Sequence, residues 1–275
     1  MKTKLLTICL LLITSQVFSD DINTNIKKLN SLNSCVSCNL TGVDLSKAKL
    51  KEVNLKGANL TNADLSGATL SGVNLTNANL EGANLSGATL DRVNLSGAIL
   101  LDVNLSGADL AYLDLEHKNL MGANLTNANL YWANLEDTNL TNANLRGAFL
   151  VNVNLNGANL TNANLNHANL NSSDLRNTNF KEANLHYAKL KNLTLEGANL
   201  ERANLRNADL YRSVLAFANL KGANLTHAIL ILANLTNANL SGANLENSVL
   251  KNANIHDAIL CNTNTPWGID NTGCE

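Results

Sequence analysis

Ala-Asn-Leu-Thr-Asn-Ala-Asn-Leu, at residues 123–130, is the stretch that decides the fold of this chain. It holds two copies of a unit in which a small residue, an amide and a leucine follow one another. From Leu40 to Leu260 every fifth residue is Leu, except for Phe180 and Ile255, and no insertion breaks the register. A repeat this regular has to be interpreted before any other feature, because it determines the architecture.

A period of five fits neither a helix, which repeats every ~3.6 residues, nor a strand, which repeats every ~2. The glycines of the tract lie two positions after the leucine, as at Gly42 and Gly57, and Asn takes the same position at Asn62 and Asn127. Gly and Asn adopt positive φ at little cost, so this position is predicted to be a corner. Short sides between corners, with Leu and Ala pointing inward, predict a coil.

The number of sides in each turn of the coil is indicated by departures from the repeat. Most of the larger residues at the small-residue position are separated from one another by multiples of twenty residues. The same holds for most residues that replace Asn or Asp before Leu. A five-residue repeat has no reason to favour one position in four unless four repeats complete a turn. The sequence therefore predicts a square solenoid of about 11 coils of 20 residues. The two sets are Val53, Val73, Val93, Leu113, Val153 and Leu193, and Lys49, Thr69, Thr89, Phe149, Lys189, Ile229 and Val249.

The unit Ala-(Asp/Asn)-Leu-x-x resembles the pentapeptide repeat family, and the resemblance covers about 80% of the chain. It implies an all-β fold, a right-handed quadrilateral parallel β-helix or β-solenoid. Members of that family share a scaffold rather than a chemistry, so the resemblance restricts the function only in broad terms.

Residues 1–19 have the features of a secretory signal peptide. Lys2 and Lys4 give it a positive start, and the apolar run at 5–13 is too short to span a bilayer. Cleavage is predicted before Asp20, and an uncleaved anchor is the alternative. Removing two lysines changes the net charge from −2 to −4, which leaves no basic surface for nucleic acid. We predict an exported protein, periplasmic or extracellular, without stable membrane insertion.

Both ends of the repeat tract are predicted to carry caps, because an open solenoid end exposes strand edges and core leucines. Ile22, Ile26 and Leu29 have helical spacing and predict a capping helix, with a disordered leader as the alternative. Trp267 and Ile269 are predicted to fold over the last coil. The predicted organisation is a signal peptide at 1–19, an N-terminal cap at 20–38, a solenoid at 39–260 and a C-terminal cap at 261–275.

Four cysteines lie beyond the predicted signal peptide, two at each end of the tract. Since the ends of a rod are too far apart to be cross-linked, only Cys35–Cys38 and Cys261–Cys274 are feasible within one chain. Both are predicted to form in an oxidising compartment. The alternative for Cys35 and Cys38 is a redox couple or half of a metal site, but no thioredoxin-like pattern or second ligand pair accompanies them.

No group of residues has the spacing of a catalytic site. Of the five histidines, His167 and His186 are expected on neighbouring coils and could form an adventitious metal pair, but nothing completes a three- or four-ligand site. We therefore predict no enzyme activity, no cofactor and no metal. The histidines, all at outward positions, are His117, His167, His186, His227 and His256.

Lys118 breaks the rule for inward positions, where a buried ammonium group without a partner would be very costly. The coil is expected to bulge locally, so that Lys118 reaches water or pairs with Glu116 or Asp114. The alternative is a functional site at this bulge.

Aromatic and aliphatic residues outside the core concentrate on the predicted side centred on Leu110, Leu130 and Leu150. Exposed apolar patches often mark partner surfaces, with Tyr and Trp as anchors. The alternative is that this side has the flattest β geometry, which favours such residues but does not explain why Tyr131 adjoins Trp132. The candidate interaction residues are Tyr112, Tyr131, Trp132, Phe149 and Val151 in one patch, and Tyr211, Ile229, Ile231, Leu232 and Val249 in a second.

These features favour a non-enzymatic exported scaffold that binds an unidentified protein through its apolar side. A homodimer, through a solenoid end or the apolar side, is one form of that interpretation. A purely structural envelope protein is the first alternative. The resemblance adds another, since some family members mimic a DNA duplex and inhibit or protect DNA gyrase. The export signal and the near-neutral charge argue against that alternative, and no nucleic-acid partner is predicted.

Overall fold

The structure, a computed structural model, describes residues 19–274, so the predicted signal peptide lies outside the described residues except for Ser19. Helix α1 spans Ser19–Leu32. Strands β1 (Thr263–Thr265) and β2 (Gly268–Asp270) form an antiparallel pair near the other end. None of the helices in the described range is long and apolar enough to span a membrane.

Single parallel bridges wind the chain into a solenoid between α1 and β1. Each bridge joins residues that are twenty apart, as when Asn39 pairs with Asn59 and Asn59 with Asn79. The leucine N–H groups donate to carbonyl groups of the following coil, as from Leu60 N to Asn79 O at 2.7 Å. Residues twenty apart therefore lie next to each other along the solenoid, and a column of such residues forms each side.

The chain turns at the residue two positions after each leucine. Gly57 has φ 66° and Asn62 has φ 55°, as the corner prediction requires. Large side chains also occupy this position, including Tyr112 at φ 61° and Trp132 at φ 56°. A Cβ atom crowds the backbone at such angles, so an aromatic residue there is less favourable than Gly or Asn.

The core is a stack of leucines and alanines, and residues such as Leu60 and Leu80 are completely buried. Burying one leucine stabilises the fold by roughly 1.5–3 kcal/mol. Most buried polar side chains at inward positions bond to main-chain oxygens, as Thr138 Oγ1 donates to Leu135 O at 2.7 Å, whereas Ser248 Oγ has no hydrogen-bond partner among the described residues. Because each coil contacts only its neighbours, these contributions accumulate along the solenoid.

Helix α1 covers the N-terminal end of the core. Leu29 is 2% exposed, and Ile22 and Ile26 pack against the same cluster. Asn33, in the left-handed conformation at φ 52°, ends the helix. The Cα atoms of Cys35 and Cys38 then lie 5.3 Å apart in a disulfide.

The C-terminal end is covered only in part. Trp267 and Ile269 are 58% and 66% exposed and do not fold over the last coil, which differs from the expectation above. The reason is the tight hairpin of β1 and β2, which buries Thr263 and Thr265 and places Trp267 at its tip. The Cα atoms of Cys261 and Cys274, at the two ends of this segment, are 4.7 Å apart in a disulfide.

One interface between successive coils is interrupted, and Lys118 lies beside it. The bridge between Thr89 and Asp109 precedes the interruption, and the next bridge joins Asn104 to Asn124. The pattern would also pair Asn94 with Asp114 and Ile99 with Asn119, but these two bridges are missing. Every other bridge that the pattern predicts between residues 34 and 264 is present. A local departure from the coil was expected at Lys118, and it lies on the N-terminal side of that residue.

The ammonium group of Lys118 pairs with neither of the carboxylates proposed for it. Its Nζ atom lies 3.5 Å from the main-chain oxygen of Glu116, and the side chain is half-buried. The Asp114 carboxylate instead accepts hydrogen bonds from Glu116 N at 3.2 Å and Asn134 Nδ2 at 3.3 Å. The Asp114 carboxylate is therefore occupied by hydrogen bonds to an N–H and an amide and forms no ion pair with Lys118 among the described residues.

Candidate interaction face

The aromatic face is the side of the solenoid whose bridge residues run at intervals of twenty from Lys49 to Val249. Its other outward residues lie one and two positions after the leucines of the same side. All ten candidate interaction residues lie on this face, because the pairing of residues twenty apart brings them onto successive coils.

Four rings form a contact cluster on the aromatic face, with Tyr131 at its centre. The Tyr131 ring lies 5.6 Å from that of Tyr112, 6.3 Å from that of Trp132 and 5.9 Å from that of Phe149, measured between centroids. The backbone sets these contacts, since Tyr112 N donates to Tyr131 O at 2.8 Å and Trp132 N donates to Val151 O at 3.2 Å. Tyr112 is 70% exposed, Trp132 54% and Phe149 43%. We call Tyr112, Tyr131, Trp132, Phe149 and Val151 the ring cluster.

An open groove of about 390 Å³ runs beside Trp132, along the corner between the aromatic face and the next side. Asn152 and Asp174 contribute to its wall. Arg176 Nε donates to Asp174 Oδ1 at 2.9 Å, and this hydrogen bond lowers the pKa of Asp174 against the opposing effect of burial. The groove therefore joins an aromatic edge to a carboxylate that is held ionised.

The second group of candidate residues is aliphatic apart from Tyr211. Arg212 lies over the Tyr211 ring, with its guanidinium carbon 5.2 Å from the centroid. Leu232 is 40% exposed and Val249 43%. We call this set, which comprises Tyr211, Ile229, Ile231, Leu232 and Val249, the aliphatic cluster.

The members of each cluster lie on adjacent coils. The two clusters themselves are not in contact, because coils with polar outer residues lie between them. Lys191 Nζ lies 2.9 Å from Asp209 Oδ2 between them. Lys189, one coil after Asn169 in the same column, has no carboxylate within salt-bridge distance in the described part of the chain.

Sequence reasoning missed an aromatic stack on another side. The Tyr187 ring lies 5.0 Å from His167 and 4.3 Å from His186, and both pairs are stacked. Burial, with the charges of Arg206 and His167, lowers the pKa of His186. Among residues 19–274 no group of three or more His, Cys, Asp or Glu side chains could hold a metal ion. The spacing of twenty between residues 167 and 187 was the signal for this stack.

Exposed aliphatic residues near the interrupted interface were missed as well. Ile99 is 49% exposed and Met121 is 37% exposed, and both lie on the side adjoining the interruption. Ile99 replaces the usual Asn before leucine, and that departure was the available signal.

Comparison with known proteins places the chain in a family. The model of pentapeptide repeats matches residues 38–77, 68–107, 104–142 and 228–264, and that of a pentapeptide repeat region matches residues 133–200 and 150–225. The chain belongs to the pentapeptide repeat family. Membership implies a right-handed β-helix, in agreement with the parallel bridges. No curated protein matches the chain.

Three solved pentapeptide repeat structures are similar to this chain. HetL, from the cyanobacterium Nostoc sp. strain PCC 7120 and involved in regulation of heterocyst differentiation, is 35% identical over 79% of this chain and 91% of its own, with a TM-score of 0.41. QnrB1, a plasmid-mediated fluoroquinolone resistance protein, is 19% identical over 78% and 92%, with a TM-score of 0.32. A protein of the Arabidopsis thaliana thylakoid lumen is 26% identical over 46% and 67%, with a TM-score of 0.23.

Proposed function

We propose that this pentapeptide repeat protein is a non-enzymatic, exported scaffold that binds a protein partner through its aromatic face. The observation that carries the proposal is the ring cluster, in which Tyr112, Trp132 and Phe149 are exposed while each contacts Tyr131. Tyr and Trp are the residues that most often anchor protein interfaces, because a rigid ring buries a large area at a small entropic cost.

Backbone conformation supports the same proposal. Tyr112 and Trp132 occupy corners at φ 61° and 56°, where Gly or Asn would be favoured. A residue other than Gly in the left-handed region costs on the order of 1 kcal/mol. The strain brings no burial in return, because both side chains are more than half exposed. A bound partner would supply the missing burial.

The partner's chemistry follows from the two clusters and the lysines between them. The ring cluster and the aliphatic cluster would each take apolar side chains of the partner. Lys189, with no carboxylate in salt-bridge range among the described residues, would take an acidic group between them. A protein segment with two apolar patches flanking an Asp or Glu fits this order.

The scaffold itself is proposed as a four-sided rod of about 11 coils, with bridges at every fifth residue and partners twenty residues along. Export is supported by the two cysteine pairs, whose Cα atoms lie within disulfide range at 5.3 and 4.7 Å. Disulfides persist in oxidising compartments such as the periplasm and the cell exterior.

Substitution of corner residues tests the proposal without weakening the fold. Trp132→Asn and Tyr112→Asn restore the usual corner residue, so both variants should fold at least as well as the native chain. Phe217→Asn is the matched control, because Phe217 is also an aromatic corner, at φ 59° and 60% exposed, but lies on another side. A photo-crosslinking residue at position 151 would report contact in the native cell.

The expected result is a discrete crosslinked partner with the native chain and with Phe217→Asn. The crosslink should be reduced at least about tenfold with Trp132→Asn, the loss expected of an anchor residue. An undiminished crosslink in Trp132→Asn and Tyr112→Asn would refute the proposal and leave the purely structural interpretation.

The C-terminal end, which is covered only in part, supports a second candidate, self-association. Leu250 and Ile255 of the last coil are only partly buried, although their equivalents elsewhere are fully buried. A second copy of the chain would cover them. Sedimentation velocity of the native chain tests this, because a Leu250→Lys variant should be monomeric where the native chain dimerises.

A further inference from the structure

The interrupted interface leaves main-chain groups without the partners that the pattern gives them at every other interface between two coils in the described residues. In each intact coil the N–H of the leucine, that of the corner residue and that of the bridge residue donate to neighbouring coils. Across the interruption these bonds are missing on both strand edges. The N–H groups concerned belong to Arg92, Leu95, Gly97, Leu100, Asp114 and Asn119.

The side chain of Lys118 explains why the coils separate there. Every other coil of the same column carries Ala, Cys or Thr at this inward position. A lysine is too long for that space and its ammonium group cannot remain in an apolar core, so it emerges between the coils. Ala98, directly beneath Lys118 in this column, is only partly buried, as expected where the contact between coils has opened.

The opening forms a cavity of about 290 Å³ between the two coils. Val93 and Leu95 give it an apolar floor, and Lys118 and Asp114 line the other wall. The Asp114 carboxylate is held by Glu116 N and Asn134 Nδ2, and no carboxylate in the described chain lies within salt-bridge distance of Lys118. A half-buried cation therefore stands beside released N–H donors.

We propose that this cavity binds a carboxylate, with the Lys118 ammonium group and the N–H group of Leu95 as its donors, since both residues line it. Backbone N–H groups together with a cation form the usual arrangement for capturing a carboxylate. Val93 and Leu95 would contact an aliphatic chain attached to it. The carboxylate belongs either to a small organic acid or to the C-terminus of a peptide. The site lies away from the aromatic face and does not depend on the function proposed for that face.

Two substitutions of Lys118 distinguish the effect of its bulk, which separates the coils, from the effect of its positive charge. Lys118→Ala restores the residue usual at this position, so the coils should close and the cavity should disappear. Lys118→Met keeps the bulk that separates the coils and removes the ammonium group. Lys181→Met, on a later coil and outside the aromatic face, is the control for the loss of one half-buried lysine.

Amide hydrogen exchange of the full chain tests the separation of the coils. The N–H groups of Leu95, Gly97 and Asp114 should exchange rapidly in the native chain and in Lys118→Met. In Lys118→Ala they should slow to the rates of equivalent amides two coils away. Unchanged exchange in Lys118→Ala would mean that Lys118 does not cause the interruption, and the proposal would then be wrong.

NMR titration of the same proteins tests the ligand, with acetate, N-acetyl-Gly-Leu and its C-terminal amide as probes. Saturable shifts of the Leu95 and Gly97 amides are expected with the native chain and Lys181→Met. Affinity should fall about tenfold or more in Lys118→Met, as for loss of a charged hydrogen-bonding partner. Equal binding of acetate and the acid peptide would identify a small organic acid, and preference for the peptide would identify a C-terminus. Equal binding of the amide, or unchanged affinity in Lys118→Met, would overturn the proposal.

Discussion

Two sides of this solenoid have the same backbone and the same buried leucines but opposite outer surfaces. On the Asn side, whose bridge residues are Asn in every coil from Asn84 to Asn264, amides bond from coil to coil. On the aromatic face the same position holds Thr, Lys, Phe, Ile or Val in most coils. The comparison teaches that the fold needs only the inner residues, so a side can give up its amide column and use its outer positions for binding.

The largest effect should come from the core, and it should not distinguish the two sides. Leu130, beneath the aromatic face, is fully buried, and Leu145, beneath the Asn side, is 1% exposed. Replacing either by Ala leaves a cavity, and each should lower the free energy of unfolding by roughly 2–5 kcal/mol. Urea denaturation measures both. A much larger loss for Leu145→Ala would mean that the amide column supports the core, and the two sides would not be equivalent inside.

Substitution of outward residues should change the free energy of unfolding less than substitution of core residues, and the change should differ between the two sides. Asn104 Nδ2 donates to Asn84 Oδ1 at 2.8 Å, and its own Oδ1 accepts from Asn124 Nδ2 at 3.0 Å and from Ser106 N at 3.2 Å. Asn104→Ala removes these bonds and should reduce the free energy of unfolding by about 1–2 kcal/mol.

The matched control is Thr89→Ala on the aromatic face, where the Thr89 hydroxyl makes no side-chain hydrogen bond within the described part of the chain. Its change should stay within about 0.5 kcal/mol. Thermal melts of both variants provide the measurement. Equal losses would show that the aromatic face depends on its outer residues after all.

The pairing of residues twenty apart could be predicted because the repeat has no insertions. Val53, Val73 and Val93 mark one side in sequence, and in the structure residues at that spacing lie on successive coils. Placing Tyr131 beside Phe149 required only this period. The contacts of Tyr187 with His167 and His186 were within reach of the same argument.

Other features could not be predicted from the repeat, because they depend on how neighbouring side chains and strands pack locally. Lys118 was recognised as unfavourable, but which of its two neighbouring interfaces would open depends on the space around Ala98 and Thr138, which only the packed coils determine. Trp267 was expected to seal the last coil. Its position instead follows from the pairing of β1 with β2, since Thr265 pairs with Gly268 and the ring projects from the turn between them.

The smallest effect concerns the groove beside the ring cluster and depends on pH. The Arg176 side chain lowers the pKa of Asp174, so the unfolded state binds a proton at higher pH than the folded state does. This pair therefore stabilises the fold above the unfolded pKa of about 4, and the contribution is lost as pH falls through the lower, folded pKa. Arg176→Ala should lower the free energy of unfolding only slightly near pH 7, because both side chains are partly exposed and solvent screens the pair.

The difference between the native chain and Arg176→Ala should shrink as the pH falls below about 4. Arg146→Ala is the control, because Arg146 lies on the Asn side and its side chain has no carboxylate partner within residues 19–274. Urea denaturation at pH 3 and pH 7 supplies the four free energies. If Arg146→Ala reproduced the pH dependence of Arg176→Ala, the effect would reflect the overall charge of the protein. The ion pair between Asp174 and Arg176 would then not distinguish the groove from the Asn side.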